Sequence, residues 1–301
     1  MKSVAIIGGA GFIGKYLSEE LLDKGYQVKI IDVQKPLLDV PFEKVDILND
    51  INGLTSSLKD VEGVIHLAAI VGVDKCLENK SQVLQVNLQG TINIIKACEI
   101  NGIKRLLFSS SSEVYGDGIK IPFAENDEKV PKSVYGKSKL LAEETLRLKA
   151  DSHFIIRVVR FFNVYGTGQS TNFVIPKFVN KFIKGEDIPI YGDGSQVRCF
   201  THVKDAVKGT LLAFEYEGDV YEDFNIGNSR PITIMELVEI LKKKIPAASS
   251  IIHENLGQNG IRPSDIEIYK RIPDTTKAER LLGFKAAISI EEGINRYLSN
   301  M

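Results

Sequence analysis

Short runs of apolar residues alternate with longer stretches of helical spacing through the first half of the chain. Residues 4–7 are apolar and lead into a glycine cluster, after which residues 12–22 place apolar side chains at helical intervals. Further strands are predicted at 28–31, 64–67, 105–109 and 153–159, and further helices at 81–99 and 135–148. Such alternation predicts a mostly parallel sheet with helices on both faces.

The second half of the chain has a different texture, with loops rich in Gly, Asn and Pro. Predicted helices lie at 176–184, 203–214, 233–243 and 275–282, and a turn-rich strand lies at 189–195. In the third of these helices, Thr233 is the expected cap and Glu236 follows three residues later. We therefore divide the chain into a domain at 1–165 and a smaller α/β domain at 166–301, with segments of about 197–225 returning to the first domain.

Composition narrows the classes of partner. The 38 Lys and Arg residues balance the 39 Asp and Glu residues, for a net charge of -1, so no strong field favours nucleic acid or an anionic membrane. Cys76, Cys98 and Cys199 are too few for a disulfide framework and lack metal-ligand spacing, which predicts reduced thiols and no metal site. The apolar run at the start is too short for a signal peptide or a membrane span. We expect a cytoplasmic protein.

A glycine-rich turn joins the first predicted strand to the first predicted helix. Gly8 permits a tight turn, Gly11 lets the backbone approach a pyrophosphate, and Gly14 lets the helix pack against the strand. The helix N-terminus then favours the anion. Asp32 closes the second strand, where a carboxylate accepts hydrogen bonds from the adenosine ribose and repels a 2′-phosphate. This arrangement predicts NAD in preference to NADP.

A tyrosine and a lysine stand four residues apart, at Tyr135 and Lys139, on one face of a predicted helix. A phenol ordinarily has a pKa near 10. To act as a base near neutral pH it needs a nearby cation, and we expect Lys139 and the nicotinamide charge to lower the pKa of Tyr135. Upstream, residues 108–116 form a strand end with four successive serines.

The glycine spacing and the Tyr-Lys pair resemble those of the extended short-chain dehydrogenases, the NAD-dependent nucleotide-sugar epimerase and dehydratase family. The resemblance covers nearly the whole chain. It implies a Rossmann-like, doubly wound parallel sheet, NAD as the cofactor, and a smaller C-terminal α/β domain that binds a nucleotide-sugar substrate. The residues that it assigns to the cofactor are Gly8, Gly11, Phe12, Ile13, Gly14, Asp32, Asp46, Ile47, Leu67, Ala68, Ala69, Asn87, Tyr135, Lys139 and Phe162.

Several of these positions are recognised by short motifs. Asp46-Ile47 resembles the family's pair that brackets the adenine after the third strand, and 66–69 resembles its HxAA strand end. Asn87 matches its structural asparagine. His66, within the HxAA motif, is interpreted as a core histidine rather than a chemical group.

Later segments resemble the family's substrate-binding motifs. Asn163 lies in a segment similar to RxxNxYGP, although Thr167 replaces the usual proline. Arg198 ends a segment similar to YGDGxQxR, in which the arginine pairs with a phosphate, and Arg262 begins one similar to RPGD, which supplies a second arginine. Residues 274–284 match the closing D-x-S-K-A and LGF signature.

The resemblance places Ser111 at the catalytic hydroxyl position and leaves the exact reaction open. The common first step oxidises the sugar, usually at C4, while Tyr135 takes the hydroxyl proton. We place 4-epimerisation first, in the manner of UDP-glucose 4-epimerase, because it requires no further acid or base. Ser112 and Glu113 resemble instead the pattern of glucuronate decarboxylases and of one dehydratase class, and Arg271 resembles a decarboxylase arginine that meets the substrate carboxylate.

Two further expectations complete the interpretation. The predicted helices at 81–99 and 135–148 correspond to those that build a four-helix dimer interface in many relatives, so we expect a homodimer. From a different class, a non-catalytic NAD-binding regulator is a remote alternative, which the intact Ser111, Tyr135 and Lys139 disfavour.

Overall fold

The computed structural model of the chain describes residues 2–118, 120–246, 248–255 and 263–301. No helix in these ranges combines the length and the apolar character needed to cross a membrane. The strands are β1 (Ser3–Ile7), β2 (Gln27–Asp32), β3 (Phe42–Lys44), β4 (Gly63–His66), β5 (Arg105–Ser111), β6 (Ile155–Phe161), β7 (Val164–Tyr165), β8 (Ile188–Tyr191), β9 (Val197–Arg198), β10 (Thr201–His202), β11 (Tyr221–Ile226), β12 (Ile232–Thr233), β13 (Ile251–Glu254) and β14 (Lys270–Arg271).

Helices flank these strands. They are α1 (Phe12–Asp23), α2 (Ile51–Ser57), α3 (Val73–Glu78), α4 (Lys80–Leu84), α5 (Gly90–Asn101), α6 (Val134–Arg147), α7 (Val174–Lys184), α8 (Val203–Glu215), α9 (Ile234–Lys244), α10 (Thr276–Leu282) and α11 (Ile290–Ser299). A π-helical segment, Gln85–Gln89, joins α4 to α5, and 3-10 turns lie at Ser112–Tyr115 and Ser264–Ile266.

Seven of the described strands form one parallel sheet in the order β11-β6-β5-β4-β1-β2-β3. Along β1, Ala5 and Ile7 face one buried core while Val4 and Ile6 face another. Helices therefore cover both faces, as the prediction of a doubly wound parallel sheet requires. The strand order reverses between β1 and β4, and ligands of such folds bind at the carboxyl ends of the strands at that reversal.

A separate apolar core lies among the later elements of the chain. Helices α7, α9 and α11 pack around β8, with Phe178, Leu237 and Ile294 among the buried side chains. The predicted cap of α9 is present, because Thr233 and Glu236 form a reciprocal capping box. Strand β11 comes from this half of the chain but pairs with β6 in the main sheet.

Two predicted elements differ in form from the structure. The single helix expected at 81–99 is interrupted by the π-helical segment, where the wider turn lets Asn87 hydrogen-bond both backbone groups of Ile70, at 2.8 and 3.1 Å. The strand expected at 189–195 ends at Tyr191, because Gly192 and Gly194 adopt left-handed backbone angles of +64° and +76°.

A buried polar network fixes α6 against the sheet. The Arg160 guanidinium on β6 donates to both carboxylate oxygens of Glu143 on α6, at 2.7 to 3.2 Å, and to Asp223 on β11 at 2.7 Å. Its remaining nitrogen donates to the Tyr115 hydroxyl at 2.9 Å, and this hydroxyl donates to Asn225 at 2.7 Å. One arginine thus joins two strands, one helix and the turn after β5.

Candidate active site

The glycine turn lies at the reversal of strand order. Gly8 has a φ of +86°, and a Cβ there would stand 2.4 Å from the backbone nitrogen of Ala68, just beyond β4. A Cβ on Gly14 would stand 2.6 Å from the backbone of Gly9. Helix α1 starts after Gly11 with no side-chain cap and no acidic residue in its first turn. Its N–H groups therefore remain available to an anion, and the turn fits a pyrophosphate.

Asp32 braces this turn from the end of β2. Its two carboxylate oxygens accept hydrogen bonds at 3.0 Å from the backbone nitrogens of Ala10 and Gln34. Each oxygen keeps a second lone pair for a ribose hydroxyl. The position suits the prediction of an adenosine ribose beside Asp32, and the negative charge opposes a 2′-phosphate.

Other residues assigned to the cofactor lie after β3, after β4 or at the start of α1. Asp46 accepts from the Leu48 backbone nitrogen and the Asn49 side chain, both at 2.8 Å. The side chain of Ile47 is buried, and a Cβ on Gly90 would lie 2.6 Å from it. Phe12 and Ile13 begin α1, while Leu67, Ala68 and Ala69 follow β4.

Asn87 connects the segment after β4 to the helix that holds the Tyr-Lys pair. Besides its two bonds to Ile70, its side-chain nitrogen donates to the Ser138 hydroxyl on α6 at 3.1 Å. Asn87 is buried at 1% exposure. The structure therefore gives this residue a bracing position, in keeping with its interpretation as a structural asparagine.

Tyr135 and Lys139 lie in the first half of α6. The Lys139 amine is buried, donates to the carbonyl of Ser109 at 2.7 Å, and stands 4.6 Å from the ring centre of Phe108. It lies 6.0 Å from the ring centre of Tyr135. Burial lowers the pKa of Lys139 to about 7, against the opposing charge of Glu143. This amine can therefore hold or release a proton near neutral pH.

The pKa of Tyr135 differs from the expectation that Lys139 lowers it. Burial and the negative charge of Glu113 raise the pKa of Tyr135 well above its ordinary value, whereas a hydrogen bond with Ser111 and the charge of Arg271 lower it less. The phenol is thus protonated in the protein alone. A ligand that brings positive charge close to the phenol would lower this pKa.

Ser111, Ser112 and Glu113 lie where β5 passes into its 3-10 turn. The Ser111 hydroxyl accepts from the backbone nitrogen of Glu113 at 3.2 Å, and Ser112 is buried. The Glu113 carboxylate accepts from the Ser133 hydroxyl at 2.5 Å and lies 3.4 Å from Nη1 of Arg271. Glu113 is therefore held by two partners beside Tyr135.

Glu113 and Arg271 form a partly shielded ion pair. Their side chains are only 13% and 12% exposed, so neither is a solvated surface group. The Arg271 Nε is buried and has no hydrogen-bond partner among the described residues. A guanidinium with an unused N–H can donate a hydrogen bond to an anionic group of a ligand.

Of the predicted substrate residues, Arg198 lies on the strand that pairs with the strand of Arg271. Strands β9 and β14 pair so that Arg198 and Arg271 stand in register. Arg198 is buried and binds the carboxylate of Glu267 at 2.5 Å. Asn163 has a φ of +40°, an unusual conformation that often accompanies function. Arg262 lies outside the described residues.

Two residues near the site have interior positions that suit support rather than chemistry. Phe162 is fully buried and lies 6.2 Å from the Tyr115 ring. His66 is also fully buried, 3.0 Å from the hydroxyl of Thr91, which itself donates to the carbonyl of Asn87. Burial and the charge of Lys139 hold the pKa of His66 well below its ordinary value, so the ring is neutral. This matches a core histidine.

Sequence reasoning missed two residues of this site. Ser133 is the cap of α6, accepting from the Gly136 nitrogen at 2.9 Å, and a Ser three residues before a helical glycine is too common a pattern to single it out. Burial and the negative charge of Glu113 raise the pKa of the Cys76 thiol to about 11. Only the fold brings α3 to this place.

Comparison with known proteins agrees with the geometry. The sequence profile described as the NAD dependent epimerase/dehydratase family matches residues 4–227. This chain belongs to that family. It is an NAD-dependent enzyme, and the glycine turn and Asp32 are the features of this structure that fit the dinucleotide.

Individual relatives in the family differ in their reactions. A UDP-N-acetyl-alpha-D-glucosaminuronate decarboxylase of Bacillus cytotoxicus is 35% identical, over 97% of this chain and 95% of its own. A UDP-glucuronate 4-epimerase of Thermodesulfobacterium geofontis is 33% identical, over 97% and 93%. The solved structure of MoeE5 with UDP-glucuronic acid and NAD has a TM-score of 0.90 and 30% identity, covering 99% of this chain and 98% of that one. The predicted family, fold and cofactor are thus confirmed.

The Asp32 carboxylate should set the choice of cofactor in this family member. We expect NAD to bind at least tenfold more tightly than NADP, a difference of about 1.4 kcal/mol, because two like charges about 4 Å apart repel each other by about 1–4 kcal/mol. Asp32→Ser should narrow the difference, while Asp39→Ser, an exposed control nearby, should leave it unchanged. Calorimetric titration with both dinucleotides measures the preference. Equal affinity of the unaltered protein for NAD and NADP would contradict the assignment.

Tyr135 and Lys139 should have separable roles. Tyr135→Phe should reduce hydride transfer by about 10²–10⁴-fold and leave NAD binding nearly intact, because only the acid–base hydroxyl is lost. Lys139→Ala should impair both properties, whereas Lys137→Ala, on the exposed side of α6, should impair neither. Formation of reduced nicotinamide by absorbance and NAD binding by calorimetry test this. Full activity in Tyr135→Phe would overturn the site.

Proposed function

We propose that this enzyme removes CO2 from a UDP-linked hexuronate by way of a 4-keto sugar. The observation that supports the proposal is the shielded Glu113–Arg271 pair, in which the Arg271 Nε lacks a partner among the described residues. A substrate carboxylate would complete the guanidinium's hydrogen bonds in a fork. Glu113 then stands beside the carbon that loses the carboxylate.

The first step prepares the sugar. NAD, when bound, accepts a hydride from the sugar C4 and returns it at the end. Tyr135 takes the proton of the C4 hydroxyl, and the Ser111 hydroxyl, which hydrogen-bonds Tyr135, supports the developing charge. Lys139 lies on the same helix face and would hold the nicotinamide ribose. The result is a ketone at C4, which is directly bonded to C5, the carbon that bears the carboxylate.

The ketone makes loss of CO2 feasible. The bond between C5 and the carboxylate carbon breaks, and its electron pair passes through C5 to the C4 oxygen as an enolate. Glu113 delivers a proton, drawn from solvent, to C5, which restores the ketone. NAD, when bound, would return the hydride to C4, and Tyr135 would return the proton to the C4 oxygen, which gives the decarboxylated sugar. The net change is exchange of a carboxylate for a proton with release of CO2.

Epimerisation at C4 is the second candidate. Our sequence interpretation placed it first because it needs only Tyr135, Ser111 and Lys139, and the family includes enzymes of both kinds. A 4-epimerase of a hexuronate could also use Arg271 to bind the carboxylate. It would, however, leave Glu113 without a chemical role. The burial of Glu113 beside Tyr135 is the reason that decarboxylation now comes first.

Glu113 separates these two reactions. With UDP-glucuronate or UDP-N-acetylglucosaminuronate we expect a product lighter by one CO2, detected by mass spectrometry. Glu113→Gln should lower CO2 release by about 10²–10⁴-fold, because it removes a positioned acid–base group. The exposed control Glu128→Gln should behave like the unaltered enzyme. An isomer of unchanged mass, formed equally well by Glu113→Gln, would establish epimerisation instead.

Arg271 should determine which sugars are accepted. Arg271→Met should weaken binding of the uronates and leave binding of UDP-glucose, which lacks the carboxylate, nearly unchanged. Calorimetric titration with each nucleotide sugar measures both affinities.

We propose the cytoplasm as the location of the protein, since Cys76, Cys98 and Cys199 are buried and unpaired.

The enzyme is also proposed to be a homodimer. Apolar side chains remain exposed on the two helices expected at the interface: Leu84 on α4 is 38% exposed and Leu141 on α6 is 48% exposed. Covering them in a partner would remove apolar surface from water. Light scattering at micromolar concentration should give a dimeric mass, and Leu141→Glu should reduce it. Leu22→Glu, on α1, is the matched control; a monomer in the unaltered protein would contradict the proposal.

A further inference from the structure

The Ser133 hydroxyl occupies a position between two parts of the active site. It accepts the backbone N–H of Gly136 at 2.9 Å, which caps α6 two residues before Tyr135. Its single proton goes to Oε2 of Glu113 at 2.5 Å. One side chain therefore joins the helix of Tyr135 and Lys139 to the Glu113 carboxylate in the 3-10 turn that follows β5.

The backbone around Ser133 explains why this contact forms. A Cβ on Gly136 would stand 2.7 Å from the carbonyl oxygen of Glu113, so only glycine lets α6 approach the turn this closely. The approach brings the cap of the helix within hydrogen-bond distance of the Glu113 side chain. The contact is thus set by the packing of α6 against the 3-10 turn.

Ser133 becomes more important when substrate binds. Glu113 has two side-chain partners among the described residues, Ser133 and Arg271. If Arg271 turns its guanidinium to the carboxylate of the substrate, the longer 3.4 Å contact with Glu113 is the one that is lost. The 2.5 Å bond from Ser133 then holds the carboxyl group in place.

We propose that Ser133 is a positioning residue that aims the Glu113 carboxyl group at the sugar C5 during loss of CO2. This inference rests on the proposed decarboxylation. It assigns Ser133 no part in hydride transfer, which belongs to Tyr135 and Lys139. The two steps of the reaction can therefore be separated by substitution at Ser133.

The test removes the hydroxyl and preserves the cap. Glycine caps helices nearly as well as serine, whereas alanine caps them poorly. Ser133→Gly is therefore the informative variant, and Ser133→Thr keeps both the donor and the cap. Ser289→Gly makes the same change at the cap of α11, where the serine accepts from Glu292 at 3.2 Å far from Glu113 in the fold.

Single-turnover mixing with a UDP-hexuronate distinguishes the steps. In Ser133→Gly, reduced nicotinamide should form at a rate close to that of the unaltered enzyme, while CO2 release should slow by about 10–100-fold, as expected for a misplaced catalytic group. Reduced nicotinamide should therefore accumulate. Ser133→Thr should restore CO2 release, and Ser289→Gly should leave both steps unchanged.

Three other results would overturn the inference. Equal slowing of both steps would mean that Ser133 only places α6, and unchanged CO2 release would mean that its bond to Glu113 has no role. If the unaltered enzyme oxidises the substrate but releases no CO2 from any UDP-hexuronate, the proposed function itself fails and takes the role of Ser133 with it. The first two results leave the decarboxylation standing, so the failures are distinguishable.

Discussion

The bidentate ion pair between Arg160 and Glu143 fixes the position of α6, the helix that carries Tyr135 and Lys139. Both side chains are fully buried, and Arg160 also binds Asp223, so α6 is tied to β6 and β11 at once. Removing one partner of such a pair typically costs about 3–5 kcal/mol, because the other charge stays buried. Glu143 lies one helical turn beyond Lys139 and also opposes the fall in the pKa of Lys139 that burial causes. The same ion pair thus places α6 and limits the fall in the pKa of Lys139.

The electrostatic balance around Tyr135 follows from where the fold brings charges. Glu113 on the turn after β5 raises the pKa of Tyr135, and Arg271 on β14 opposes it. In the proposed decarboxylation, a substrate carboxylate that draws Arg271 away from Glu113 would also change this balance at the phenol. Substrate binding and acid–base chemistry would then be linked through one guanidinium, whereas the glycine turn and Asp32 can hold the dinucleotide independently of it.

Features set by local spacing could be predicted from the sequence. The glycine turn, Asp32 at a strand end and the Tyr-Lys pair each depend on a few neighbouring residues, and the parallel sheet follows from alternating patterns. The Glu113–Arg271 pair joins positions 158 residues apart, and it requires the short pairing of β9 with β14, which no apolar pattern signals. The π-helical segment could not be predicted for the same reason. It accompanies hydrogen bonds of Asn87 with Ile70 and Ser138, which lie far from it along the chain.

The Glu113–Arg271 contact is long, and it leaves one N–H of the arginine without a partner among the described residues. Ideal charge-assisted bonds are about 2.7–2.9 Å long, whereas this one is 3.4 Å and leaves the buried Nε of Arg271 unused. A pair that served only stability would gain from closer geometry, since burying a polar group without a partner is costly. An incompletely satisfied arginine beside a well-held glutamate is instead suited to exchange one carboxylate for another. In the proposed decarboxylation a uronate would supply that second carboxylate, and Glu113 would stay bonded to Ser133 while it delivers the proton that replaces the lost carboxylate.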